Sequence, residues 1–150
     1  MTEIHRSAHV PYSAAQMLEL VNDICAYPNF LHWCLAARIE RSEGARVEAA
    51  LDIGISGIHK TMRTRNCTSV PEGGGVASIE IEMIDGPLKR LRGAWTFTDR
   101  QAGGCDVTLG LDYEVHRTPF GFLLRTVFDE IASSQLNAFV RRAAVVYGSR

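Results

Sequence analysis

Arg63 and Arg65, and further along Lys89, Arg90 and Arg92, are residues whose types and spacing suggest chemistry. Positions two apart share a face of a strand. Arg63 beside Arg65, and Arg90 beside Arg92, would therefore present guanidinium groups together to an anionic partner, either RNA phosphates or an acidic lipid surface. The plainer account is solubility, since polar faces of antiparallel strands often carry arginine. The second stretch, "DGPLKRLRGAWTF" (Asp85 to Phe97), sets Leu91, Gly93, Trp95 and Phe97 on the opposite face from Arg90 and Arg92. That apolar face must cover something.

Catalytic and metal chemistry find no constellation. The segment "GISGIHKT" (Gly54 to Thr61) looks like a phosphate loop, but Ile58 and His59 stand between glycine and lysine and strand periodicity follows, so a turn is expected. There is no G-x-S-x-G elbow and no H-E-x-x-H helix. His5, His9 and His59 alternate as solvated strand residues would; His32 lies inside an aromatic turn, where it is a loop residue or part of a pocket rim. Cys25, Cys34, Cys67 and Cys105 form no C-x-x-C pair, so reduced thiols are expected, and no metal. Asn66-Cys67-Thr68 matches a glycosylation sequon, without consequence in a chain lacking an export signal.

Apolar residues make the stronger case. Phe30, Leu31 and Trp33 crowd a turn where polar residues would be usual. They either plug one end of the core or frame the mouth of a cavity. Leu51, Ile53, Trp95, Phe97, Leu111, Tyr113, Val127 and Ile131 are the expected cavity lining, with Trp95 and Tyr113 each able to present a polar atom. On the last helical segment, Ser134 and Gln135 interrupt the apolar stripe between Ile131 and Phe139. Polar groups on a core-facing stripe need partners, and a ligand head group is one candidate.

The elements that must position these residues follow from periodicity. Ile4, Ala8 and Val10 predict an opening strand. Ser13 and Gln16 form a capping box ahead of Met17, Leu20, Val21 and Ile24, predicting a helix that ends at Tyr27-Pro28, followed by a helical turn with exposed aromatics. From Leu35 to Val115 the period is two and turn signals recur ("SEG", "GISG", "PEGGG", "DGP", "QAGG"), predicting a meander of antiparallel strands. Thr118 and Pro119 cap a final helix to about Tyr147, roughly 40 Å long and able to cover the sheet. The class is α+β.

At 150 residues, with 46% hydrophobic and 22% charged residues, the chain reads as one domain over 1–150 with no membrane-spanning run. A net charge of -1 speaks against general nucleic-acid binding, so no DNA partner is expected. The opening residues lack a signal core, and a cytoplasmic location is expected.

Three segments carry a family resemblance. "AYPNFLHWC" (Ala26 to Cys34), "DGPLKRLRGAWTF" and "NAFVRRAAVVYG" (Asn137 to Gly148) resemble the coenzyme Q-binding START-domain family, also called polyketide cyclase/dehydrase-like, which includes the bacterial ribosome-association toxin. The chain departs from the family pattern at His32, where proline is common, and at Leu88, where phenylalanine is common. The resemblance implies a helix-grip fold, a curved antiparallel sheet wrapped around the long C-terminal helix. It also implies non-enzymatic binding of a prenylated quinone, ubiquinone, in support of respiratory electron transfer. No cofactor would be required, and the protein would touch the inner face of the membrane transiently to load its ligand. Two alternatives come with the family: docking on the large ribosomal subunit to block subunit pairing, and polyketide cyclase or aromatase activity.

Overall fold

The computed structural model describes residues 2–149. Seven strands form one antiparallel sheet: β1 (Thr2–Val10), β2 (Cys34–Glu43), β3 (Arg46–Ile55), β4 (Ile58–Ser69), β5 (Ala77–Asp85), β6 (Arg90–Asp99) and β7 (Cys105–Glu114). Their order across the sheet is β1-β7-β6-β5-β4-β3-β2. The meander from β2 to β7 is thus sequential, and β1 returns to pair with β7 from Thr2↔Tyr113 to Val10↔Cys105. Alternation puts Leu51 and Ile53, Trp95 and Phe97, and Val107 and Leu109 on one buried face.

That face is covered by α2 (Pro119–Tyr147), which has Thr118 as its N-cap and Pro119 at its first position. The Thr118 hydroxyl accepts from the Gly121 N–H at 2.9 Å, satisfying one of the free donors of the first turn. Leu124, Val127, Phe128, Ile131, Leu136 and Phe139 recur at helical spacing and are buried against the sheet.

The helix predicted from Ser13 to Tyr27-Pro28 is in fact two elements. The capping box forms, but α1 (Ala14–Asn22) stops five residues before Tyr27, and Ile24–Asn29 is a 3₁₀ helix containing Pro28. Asn22 and Asp23 are poor helix formers whose short polar side chains compete with the backbone, and the Asp23 N–H closes the last turn on the Glu19 carbonyl at 3.1 Å. The tighter winding keeps Ile24 and Tyr27 buried. The aromatics that follow are not exposed as expected: Trp33 is buried, as is Leu31 beside it, and Phe30 is half-buried.

"GISG" is a hairpin turn. Ser56 and Gly57 have φ of 52° and 78°, the two positive values that a two-residue turn between right-twisted strands requires, and Ile55 pairs with Ile58 across it.

Candidate functional site

An apolar cavity lies between the sheet and α2. The strands contribute Leu51, Met62, Ile81, Leu91, Trp95, Leu109, Leu111 and Tyr113, while α2 contributes Phe128, Ile131, Ala132 and Gln135. Tyr27 and Trp33 close one end, and Thr64 and Asn66 of β4 add polar atoms to the wall. The cavity measures about 90 Å³. A cavity of roughly 150 Å³ takes up benzene, so this one accepts a small ring only with some yielding of its walls, and a long isoprenoid tail only if α2 or the aromatic turn moves.

Of the residues expected to line it, Trp33, Leu51, Trp95, Leu111, Tyr113, Ile131 and Gln135 do. Phe30, Leu31, Ile53, Phe97, Val127 and Ser134 do not, and the reasons differ. Phe97 is fully buried and stacks on Trp95 with ring centroids 6.2 Å apart, so it backs the lining instead of forming it. Leu31, Ile53 and Val127 are packed in the surrounding core. Phe30 stands edge-on to Phe139 at 5.0 Å and lies under the Arg142 guanidinium at 5.2 Å, plugging that end of the fold. The Ser134 hydroxyl donates back to its own helix, to the Glu130 and Ile131 carbonyls at 3.0 and 3.2 Å, which occupies the polar atom offered for a head group.

Hydrogen bonds fix the aromatic end. The Trp33 indole N–H donates to Gln135 Oε1 at 3.2 Å, and the Tyr27 hydroxyl donates to the Val21 carbonyl. Phe139 stands edge-on to Tyr27, Phe30 and Trp95. At the other end the Tyr113 hydroxyl donates to Asp129, whose carboxyl is pushed up by burial. A phenol and a carboxyl held together can pass a proton, and periodicity did not find this pair because Asp129 sits off the apolar stripe.

Sequence reasoning also missed Tyr27, Met62, Thr64, Asn66, Ile81, Leu91, Leu109, Phe128 and Ala132 as lining residues, and Asn66 stands out among them. In the sequence it reads as a sequon, yet its side chain is inward, with 9% of the residue exposed, and its Oδ1 has no hydrogen-bond partner. The inward alternation Met62, Thr64, Asn66 along β4 was the available signal. Burial also removes Asn66 as a glycosylation site.

The cations lie on the outer side of the sheet, among carboxylates. Arg63 meets Glu40 at 2.9 Å and Asp85 at 3.5 Å, and Arg65 approaches Glu48 at 4.0 Å. Lys89 and Arg92 make only loose pairs, 3.9 Å to Glu114 and 3.9 Å to Asp112, and expose 60% and 63% of their side chains. Arg90 is opposite Glu114 in the ladder. His32 is exposed beside the aromatic end, and His5, His9 and His59 are exposed on their strands.

Sheet, covering helix and the cavity between them together define a helix-grip, START-like fold. The chain belongs to the family described as polyketide cyclase/dehydrase and lipid transport, whose model matches residues 10–140. It is similar to the ribosome association toxin RatA of Escherichia coli K12, at 39% identity over 150 residues that span all of this chain and 92% of the relative. Similarity to the mitochondrial coenzyme Q-binding protein COQ10 homolog B of Xenopus laevis is lower, 22% over 150 residues, covering 97% of this chain and 59% of that protein. Among solved structures, the Zhui aromatase/cyclase from Streptomyces sp. R1128 superposes with a TM-score of 0.80 over 99% of both chains at 15% identity, a likeness of fold alone.

Proposed function

We propose that this protein acts by binding and not by catalysis, and that its partner is the ribosome, on whose large subunit it docks so that the small subunit cannot join. The observation that carries this reading is the 39% identity along the whole chain to a relative named for ribosome association. The start of β6 suits such a partner: Lys89, in the turn before the strand, and Arg92, on its outer face, are well exposed and loosely paired, so exchanging a carboxylate for an RNA phosphate costs them little. Arg63, already bonded to Glu40, is less available. A cytoplasmic location follows from this reading.

Sedimentation with purified ribosomal subunits tests it. The protein should travel with the large subunit at low salt, reduce the yield of joined ribosomes, and be released as salt rises. A Lys89→Ala/Arg92→Ala double variant should bind more weakly with a shallower salt dependence. Protein that stays at the top of the gradient at low salt overturns the proposal.

The cavity favours a second activity, uptake of an apolar ligand, and the similarity to a coenzyme Q-binding protein makes a ubiquinone-type molecule the first to try. Burying its apolar surface would yield on the order of 25 cal/mol per Å². Organic extraction of protein purified from a quinone-producing host, followed by mass spectrometry, should recover the quinone in stoichiometric amount, and recovery should fall with Trp95→Ala. An empty extract would remove ubiquinone as the ligand.

A further inference from the structure

The first turns of α2 keep large apolar side chains in contact with solvent: Phe120, Phe122 and Leu123 are 44%, 54% and 50% exposed. Single exposed apolar residues are ordinary, but these crowd one short stretch and make a patch. Cations frame it. Arg117 and Arg125 are exposed, and among the described residues neither forms an ion pair, unlike Arg63, which meets Glu40 and Asp85. Lys60 lies over the Phe120 ring at 5.3 Å and adds a positive charge at the edge of the patch. From Val115 to Phe128 the chain has no Asp or Glu, so nothing on this segment offsets its arginines.

A groove of about 370 Å³ runs beside the patch, where Arg117, Phe122 and Arg125 face Lys89, Glu114 and Tyr113 at the rim of the sheet. Its carboxylate, Glu114, is 3.9 Å from Lys89. Tyr113 also lines the inner cavity, so this side chain stands between the two spaces.

We propose that this end of the molecule docks on an anionic lipid bilayer, with Phe122 and Leu123 entering the acyl boundary and Arg117 and Arg125 meeting the lipid phosphates. No helix among the described residues is long and apolar enough to cross a membrane, so the contact is at the surface. A bilayer interface rewards both halves of the patch together: the apolar side chains leave water, and the arginines reach up to the head groups. RNA would reward the cations and could stack on a phenylalanine ring, but it offers no comparable partner to Leu123. The docking depends on neither reading above, and it sets the bilayer beside the wall of the cavity.

Co-sedimentation of the full chain with phosphatidylcholine vesicles, and with vesicles that also contain phosphatidylglycerol, tests this. The mixed vesicles should bind at low salt roughly tenfold or more tighter than phosphatidylcholine alone, and should release the protein as salt rises. Arg117→Gln/Arg125→Gln should weaken that binding by about tenfold. Phe122→Ser/Leu123→Ser should weaken it by roughly tenfold or more, at low salt as well as high. Arg63→Gln/Arg65→Gln, on the outer face of the sheet, should leave it unchanged. In the unsubstituted protein, amide hydrogen exchange should slow across residues 117–125 when mixed vesicles are added, which locates the contact without any variant. Failure to bind mixed vesicles at low salt overturns the proposal, as does binding that weakens equally in the Arg63/Arg65 variant or survives the other two. So does a chain that ignores vesicles but loses the large ribosomal subunit with Phe122→Ser/Leu123→Ser, which would assign the patch to the ribosome.

Discussion

Trp33 and Gln135 are joined by a hydrogen bond of 3.2 Å that ties the aromatic turn before β2 to the middle of α2. Both residues line the cavity, so this bond sets how far its aromatic end can open. A ligand larger than one ring must stretch or break it.

Removing either partner should therefore loosen that end. Trp33→Phe and Gln135→Leu are each expected to destabilise the protein by about 1 kcal/mol, with a coupling of roughly 0.5–1.5 kcal/mol in the double-mutant cycle. Denaturant unfolding of the four proteins measures it. Additive effects would mean that the two side chains do not act on each other in solution.

Phe139 should be among the most costly core residues to truncate. It is fully buried and stands edge-on to Tyr27, Phe30 and Trp95, so Phe139→Ala removes the centre of that cluster. A loss of about 3–5 kcal/mol is expected, on the order of 10 °C in Tm for a chain of this size. A shift of only a degree or two would show that the cluster repacks.

At Gly93 the backbone of β6 comes so close to β7 that a Cβ would meet the Gly110 carbonyl oxygen at 2.2 Å and the Leu111 side chain at 2.6 Å. Gly93→Ala should cost about 1–3 kcal/mol by forcing the strands apart. The same substitution at Gly44, in the turn after β2, meets no atom within 4 Å, and its cost would come from the backbone angle alone. Comparing the two variants by thermal unfolding separates the contributions.

Alkaline pH offers a further test. Burial raises the Cys34 and Cys105 thiols from 9.0 to about 11. Between those values the unfolded chain has released these protons and the folded chain has not, so stability is intact below pH 9 and falls as pH rises toward 11. Each thiol withdraws at most about 1.4 kcal/mol per pH unit. Cys34→Ala and Cys105→Ala should each flatten the decline in a urea-melt series from pH 8 to 11. By contrast Cys25 is exposed and should alkylate first with iodoacetamide at pH 8.

Much of this architecture could be read in the chain because its signals are local. Ser13 with Gln16, Thr118 with Pro119, and the alternation from Leu51 to Tyr113 each act within a few residues, and each produced the expected element. The 3₁₀ helix was harder to see, since Ile24 and Tyr27 continue the apolar spacing of α1 although Asn22 and Asp23 have ended it. The cavity was half legible. Facing inward is a property of alternation, but lining a space and backing it differ only in depth, and depth distinguishes Trp95 from Phe97. Asn66 was overlooked because a polar residue on a strand reads as solvated until the strand is known to be covered.

The pairing of β1 with β7 has a consequence for how the molecule comes into being. β1 must wait for β7 before it has the neighbour it pairs with, and α2, which covers the apolar face, follows β7 in order of synthesis. Pairings between distant parts of a chain are slow to form and leave sticky surface open meanwhile. Until β7 and α2 have been made, a nascent copy therefore carries an unpaired β1 and an uncovered apolar sheet face.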